Sequence, residues 1–334
     1  MRLLIIGGSS FLGRAFAQEA LARGHVVTTF NRGVSSPDVE GVEALRGDRS
    51  DPASLAQLAD REWDAVVDTC GYVPRVVLAS AELLAGRVPA YAYVSSISAY
   101  SQWPAQRPDE SMPTHECAPD AGPDDGDYGV LKAGCERAVQ QAYAGGALVI
   151  RPGLILGPFE NVGRLPAWLL RMQRGGRVLA PGKSDQPMQL VDARDIATFT
   201  LDGLERGLTG FFNVTGPVGN ATFGSWLEDC RAVTGSDAEL VWVDDAFLLE
   251  SGVEPWSELP LWSPMDGESE HLWDSSTEAA EREGLTCRSV RDTVADTWAW
   301  LSMSGPAPQR PDRPQHGIDP DKEQRILAAW DARS

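Results

Sequence analysis

Along the first 150 residues, apolar side chains come in short blocks separated by polar turns, and the blocks alternate between two kinds of spacing. Residues 3–6 (LLII) form an unbroken apolar run, the pattern of a strand buried on both faces. Residues 11–23 read as a helix closed by Gly24. The alternation continues through predicted strands at 26–30, 42–46, 65–68, 91–95 and 147–150, with helical segments at 54–59, 75–85 and 128–144. Repeated strand–helix units imply an α/β fold with a doubly wound parallel sheet and helices on both faces. Residues 101–127, rich in Pro, Asp and Gly, interrupt the rhythm as a surface loop suited to a lid or substrate-facing flap.

Beyond Arg151 the pattern loosens. Helices are predicted at 165–174, 193–206, 223–234 and 290–301, and short strands at 189–191, 211–214 and 240–243. The expected organisation is a dinucleotide-binding domain over 1–155, with some return of the chain from the C-terminal half, and a smaller, mainly substrate-binding lobe over 156–301. A tail over 302–334 holds a Pro-rich linker (302–318) and a last helix from about Pro320 to Ala332 with Pro in its first turn. Trp226, Trp242, Trp256, Trp262 and Trp273 read as core of the smaller lobe, with a pocket lining as the alternative. Residues 165–168 are expected beside the pocket entrance.

Composition acts mainly by exclusion. With 48 acidic and 29 basic residues the formal charge is −19, which repels phosphate backbones and anionic membranes, so neither nucleic acid nor membrane is an expected partner. No stretch approaches the ~20 apolar residues of a membrane span. The run at 3–6 is too short for the core of a signal peptide. Cys70, Cys117, Cys135, Cys230 and Cys287 contain no CxxC pair, which argues against a disulfide framework or zinc and suits a reducing cytoplasm. The four histidines are dispersed, and no metal site is expected.

Candidate chemistry lies in three places. The first strand runs into Gly7-Gly8-Ser9-Ser10-Phe11-Leu12-Gly13, a G-x-x-G-x-x-G pattern with Ser10 in place of the middle glycine. Gly7 permits the tight turn, Gly13 permits close packing of the helix on the sheet, and the helix start offers free N–H groups to a pyrophosphate. A Rossmann-type cofactor site is therefore expected at Gly7, Ser9, Ser10, Phe11, Leu12 and Gly13, with a ligand-free turn as the alternative. The second strand ends Phe30-Asn31-Arg32-Gly33 with no carboxylate. A carboxylate there would bond a ribose 2′-hydroxyl and repel a 2′-phosphate; Asn31 suits either ribose and Arg32 suits the phosphate, so NADP(H) is expected over NAD(H). The competing view of Arg32 is a solvated turn residue. Tyr128 and Lys132, in YGVLK, share one helical face, and the ammonium favours the phenolate, moving proton exchange below the free pKa of about 10.

These features resemble the short-chain dehydrogenase/reductase superfamily and, within it, the extended branch called the NAD-dependent epimerase/dehydratase family. VSSISAY at 94–100, RPG at 151–153 continuing to Gly157-Pro158, and VDARDIA at 191–197 extend the resemblance over about residues 1–300. It implies that Ser96 hydrogen-bonds the reacting oxygen, that Tyr128 is the acid/base, and that Lys132 lowers the tyrosine pKa and bonds the nicotinamide ribose. It also implies Asp48 beside the adenine, in RGDRSD with Arg49, then Thr69, Cys70 and Gly71 under the cofactor ribose, and Pro152 at the end of strand six. The implied reaction is hydride transfer between the nicotinamide and a secondary alcohol or ketone of a small metabolite. The family's 4,6-dehydratases place Asp-Glu after the catalytic Ser or Thr, whereas Ile97 and Ser98 stand here, so that elimination is not expected. The branch motifs favour the runner-up, a nucleotide-sugar epimerase with bound NAD; Ser10 and Asn31-Arg32 favour the reductase. A third reading, a non-catalytic RNA-binding or regulatory relative like the chloroplast stem-loop-binding proteins, is opposed by the charge and by the intact Ser96/Tyr128/Lys132 set. The resemblance also implies a homodimer as one possible state, since family members often dimerise through helices beside the sheet, and the 128–144 helix is one candidate for that face.

Overall fold

In a computed structural model the apolar blocks become seven parallel strands. They are β1 (Arg2–Ile6), β2 (Val26–Asn31), β3 (Glu43–Arg46), β4 (Ala65–Asp68), β5 (Ala90–Val94), β6 (Leu148–Pro152) and β7 (Gly210–Val214). Across the sheet the order is β3-β2-β1-β4-β5-β6-β7. The winding direction reverses between β1 and β4, and such a reversal opens a crevice at the carboxyl ends of the strands. The structure describes residues 1–265, 267, 269–306 and 315–333; the middle of the expected Pro-rich linker, 307–314, lies outside the described residues.

Strand β1 shows why its run has no polar member. Leu3 and Ile5 point to one face and Leu4 and Ile6 to the other, none more than 1% exposed. One face is covered by α1 (Phe11–Ala22) and α4 (Ala193–Arg206) through Phe16, Ala17, Ile196 and Phe199. The other is covered by α2 (Pro74–Leu84) and α3 (Tyr128–Ala142) through Val77, Leu84, Cys135 and Val139. Helix starts follow local chemistry. Asp127 accepts a bond from the Val130 N–H at the head of α3, and Pro74 opens α2, where its missing N–H costs nothing.

A third core gathers the helices Arg164–Gln173, Phe223–Thr234 and Val290–Ser304. They pack with a parallel pair of strands, Arg177–Pro181 and Glu239–Val243. Trp168, Phe223 and Trp226 meet edge to face within it. Leu165 and Trp168, in the segment expected beside a pocket entrance, are 0% and 2% exposed, because the apolar stripe of their helix faces this core; Ala167 and Trp168 also line a cavity with Pro260 and Ile318. Trp226, Trp262 and Trp273 are buried in it, with Trp242 and Trp256 packed against it. The helix Pro320–Asp331 joins through Ile326, Leu327 and a 2.7 Å pair between Arg171 and Glu323.

The loop 101–127 is stitched to a later segment. Pro104 and Pro108 carbonyls accept from the His271 and Ser276 N–H groups at 3.0 and 2.9 Å, and Arg107 donates to the Asp274 carbonyl at 2.9 Å.

Candidate active site

The glycine-rich turn forms a cradle with no space for side chains. Gly7 and Gly8 have φ of +108° and +95°, the left-handed region that favours glycine. A Cβ on Gly7 would run into Thr69 Oγ1, and one on Gly13 would stand 2.7 Å from the Gly8 nitrogen. Ser10 fits without strain because its backbone is extended, with φ −124°; the left-handed residue is Phe11, with φ +39°. The Ser10 hydroxyl does not cap α1 but donates to Ser36 Oγ at 3.3 Å. Ser9 and Leu12 are buried, and Phe11 packs on the adjoining core. A narrow backbone turn and a helix start without a side-chain cap fit a dinucleotide diphosphate.

At the end of β2, Asn31 Nδ2 donates to the Gly7 carbonyl at 3.3 Å, which places this side chain beside the cradle. Its Oδ1 accepts from the Gly33 N–H at 2.8 Å and from Arg46 Nη1 at 3.1 Å. The sequence reading missed Arg46. The signal was the parallel register of β2 and β3, which sets Asn31 opposite Arg46. Arg46 also pairs with Asp38 and holds that carboxyl below its usual range. Arg32 is exposed at the same turn. Bonds from Ser50 Oγ and N (2.6 and 2.8 Å), helped by the charge of Arg32, hold the Asp48 carboxyl low as well.

Arg49 turns away from this surface. Its two terminal nitrogens each donate to Asp68 at 2.7 Å, and one also donates to Ser80 Oγ at 2.6 Å. Tyr91 OH adds a 3.0 Å bond to Asp68, so Arg49 braces the end of β4 from within the fold. Thr69 Oγ1 donates to the Ile6 carbonyl at 3.0 Å and the Cys70 thiol points to the same oxygen, tying β4 to β1; burial pushes that thiol pKa up.

Ser96 ends the run from β5 and caps the short turn Ile97–Ala99, its Oγ accepting from the Ser98 N–H at 3.1 Å. Tyr128 opens α3 and is 44% exposed. Gly129 brings that helix start against the turn, since a Cβ there would overlap the Ser98 carbonyl oxygen. Lys132, one helical turn on, is 3% exposed. Its ammonium donates to the Gly71 carbonyl, Tyr93 OH and the Val94 carbonyl at 2.8, 2.9 and 2.7 Å, and burial pulls its pKa down. Behind these groups Ser95 Oγ donates to Glu136 at 2.5 Å, and Glu136 holds Arg151 through two bonds of 2.8 and 2.7 Å. Pro152, the next residue, is buried at the end of β6. The Arg151 guanidinium lies 4.5 Å from the Tyr100 ring centroid; Tyr100 donates to Asn213 at 2.8 Å, and burial pushes its phenol up to about 12. Among the described residues no group of three or more His, Cys, Asp or Glu could hold a metal ion, and no helix is long and apolar enough to cross a membrane.

Comparison with known proteins adds to this geometry. The model of the NAD dependent epimerase/dehydratase family matches residues 3–85 and 73–214. The chloroplast stem-loop binding protein of 41 kDa b from Arabidopsis thaliana is 27% identical over 253 residues, 70% of this chain and 63% of that protein. A 2-alkyl-3-oxoalkanoate reductase from Stenotrophomonas maltophilia is 41% identical over 56 residues, 16% of this chain and 17% of the reductase. The chain thus spans 63% and 17% of the lengths of these two relatives. Among solved structures, the Bordetella bronchiseptica enzyme WbmG in complex with NAD and UDP superposes with a TM-score of 0.70 at 18% identity, covering 94% of this chain and 99% of that one. The UDP-glucose 4-epimerase of Thermotoga maritima with UDP-glucose gives 0.68 at 17% identity, covering 91% and 99%. At such identities the likeness is one of fold.

Proposed function

The chain belongs to the NAD dependent epimerase/dehydratase family, and from that premise we propose that it is an NADP(H)-preferring oxidoreductase acting on a secondary alcohol or ketone of a small metabolite. The observation that carries the proposal is the packing of Gly129 on Ser98, which joins the turn capped by Ser96 to the helix start that bears Tyr128. In the reductive direction Tyr128 gives its phenolic proton to the carbonyl oxygen, while the Ser96 hydroxyl hydrogen-bonds that oxygen as negative charge develops. In the oxidative direction the Tyr128 phenolate takes the alcohol proton. Lys132, one helical turn further along α3, is the cation assigned to support that phenolate, as the spacing of the two residues suggests. Bound at the glycine cradle, the nicotinamide cofactor supplies or takes up the hydride.

Preference for NADP(H) is supported by the missing carboxylate after β2 and by two arginines, Arg32 and Arg46, at that strand end. The alternative is a nucleotide-sugar epimerase that retains NAD; it is favoured by the fold likeness to WbmG with NAD and UDP and to a UDP-glucose 4-epimerase. The name of the chloroplast relative, a stem-loop binding protein, favours a nucleic-acid-binding role, against which stands the charge of −19.

Titration of the purified protein with NADPH and NADH, followed by nicotinamide fluorescence, tests the proposal. Exchangeable NADPH binding abolished by Arg32→Glu is the expected result. NAD retained through purification and indifferent to Arg32→Glu moves the assignment to the epimerase, and binding of neither cofactor removes the enzyme reading.

A further inference from the structure

The turn after β4 carries an aromatic residue that neither composition nor motif singles out. Tyr72 is 40% exposed, and its ring centroid lies 6.5 Å from that of Tyr128 at an interplanar angle of 40°. The backbone leading to it is tightly held. The Gly71 carbonyl accepts both from Lys132 Nζ at 2.8 Å and from Tyr93 OH at 2.9 Å. Gly71 has no space for a side chain, because a Cβ would stand 2.7 Å from both Tyr93 and Val77. Lys132 Nζ lies 5.2 Å from the Tyr72 ring centroid and 4.7 Å from that of Tyr93. An ammonium has three N–H groups, and those of Lys132 are matched by Gly71, Tyr93 and Val94. Lys132 therefore acts as the clamp of this turn, and what the turn presents to the crevice beside Tyr128 is the Tyr72 ring.

We propose that Tyr72 is the aromatic wall of the nicotinamide subsite, contacting the nicotinamide riboside half of the cofactor next to Tyr128. The inference rests on the dinucleotide reading of the cradle. It follows from position along the crevice. Asn31 and Arg46 end β2 and β3 on one side of the winding reversal, and the diphosphate cradle follows β1. Tyr72 follows β4 and Ser96 follows β5, on the opposite side, where the other half of an extended dinucleotide lies. A planar ring finds there a fixed, partly exposed aromatic surface, the geometry in which rings associate favourably beyond their buried area.

The test compares NADPH with its adenosine half, 2′,5′-ADP, by titration calorimetry on the full chain and on Tyr72→Ala and Tyr72→Phe. Tyr72→Ala is expected to weaken NADPH about tenfold and to leave 2′,5′-ADP within about twofold, while Tyr72→Phe keeps both. If Tyr72→Ala binds NADPH as the parent does, or loses both ligands equally, the inference is overturned while the dinucleotide reading stands. Should the parent protein prefer NADH, the same comparison is made with NADH and ADP. A parent protein that binds none of these probes overturns the dinucleotide reading itself, and the inference with it.

Discussion

Gly129 packs so closely on Ser98 that a Cβ at Gly129 would overlap the Ser98 carbonyl oxygen. Ser98 lies in the turn capped by Ser96, and Gly129 follows Tyr128, so this one contact sets the spacing between the two proposed catalytic groups. Gly129→Ala must push helix and turn apart. A misplacement of roughly 1 Å can reduce turnover about 10²-fold, and overpacking costs about 1–3 kcal/mol. Steady-state turnover is expected to fall about 100-fold with NADPH affinity nearly unchanged, and thermal melts report the lost stability. Unchanged turnover would remove the spacing role given to this contact.

The Glu136–Arg151 pair is 3% and 5% exposed, and Ser95 donates to the same carboxylate. Removing one partner of such a pair leaves a buried charge uncompensated, at a cost of about 3–5 kcal/mol, whereas replacing both by apolar residues is close to neutral. Glu136→Leu is therefore expected to lower the urea midpoint strongly, and Glu136→Leu with Arg151→Met to recover most of the loss. If the double variant is no more stable than the single one, the pair is not an isolated electrostatic unit.

Much of this arrangement is legible in residue order. The LLII run, the glycines of the first turn and the YGVLK spacing each depend on neighbours a few positions away, and each element formed close to its expected bounds. What escaped depends on pairing across the chain. Arg46 reaches Asn31, beside the cradle, only because β3 lies in register with β2, and Arg49 is drawn into the fold by Asp68, 19 residues on. Tyr72 looks like an ordinary loop aromatic until Lys132 is seen to hold the carbonyl before it. An apolar stripe does not reveal how its residues divide between core and cavity wall: Leu165 and Trp168 are buried in the third core, while Ala167 and Trp168 also line a cavity.

His316 makes stability depend on pH. Its Nδ1 is buried with no hydrogen-bond partner among the described residues; burial first, and then nearby Arg164, lowers its pKa, while Glu160 opposes the shift. A histidine whose folded pKa lies below its unfolded value of about 6.5 contributes stability that is full above that value and is lost as pH falls through the folded pKa. The melting temperature is expected to decline as pH drops below about 6.5, and His316→Gln to flatten that part of the decline. Parallel pH profiles for the two proteins would refute the assignment.

Arg46 and Asp38 set the cofactor preference proposed above. Arg46 bonds Asn31 beside the cradle and is shared with Asp38, so a 2′-phosphate would compete with Asp38 for the same guanidinium. The Asp38 carboxyl, kept below its ordinary range by Arg46, remains charged throughout the neutral region and keeps competing there. Removing the guanidinium takes away a charge-assisted bond of about 1.5–3 kcal/mol, roughly a tenfold to hundredfold loss. Arg46→Gln is thus expected to weaken NADPH by about tenfold or more and to leave NADH unaffected, because NADH has no 2′-phosphate to lose. Asp38→Asn, which frees the guanidinium, is expected to act in the opposite direction on NADPH alone. Titrations of both variants with both cofactors check the pair. Equal effects on NADPH and NADH would mean that Arg46 shapes the turn and does not recognise the phosphate.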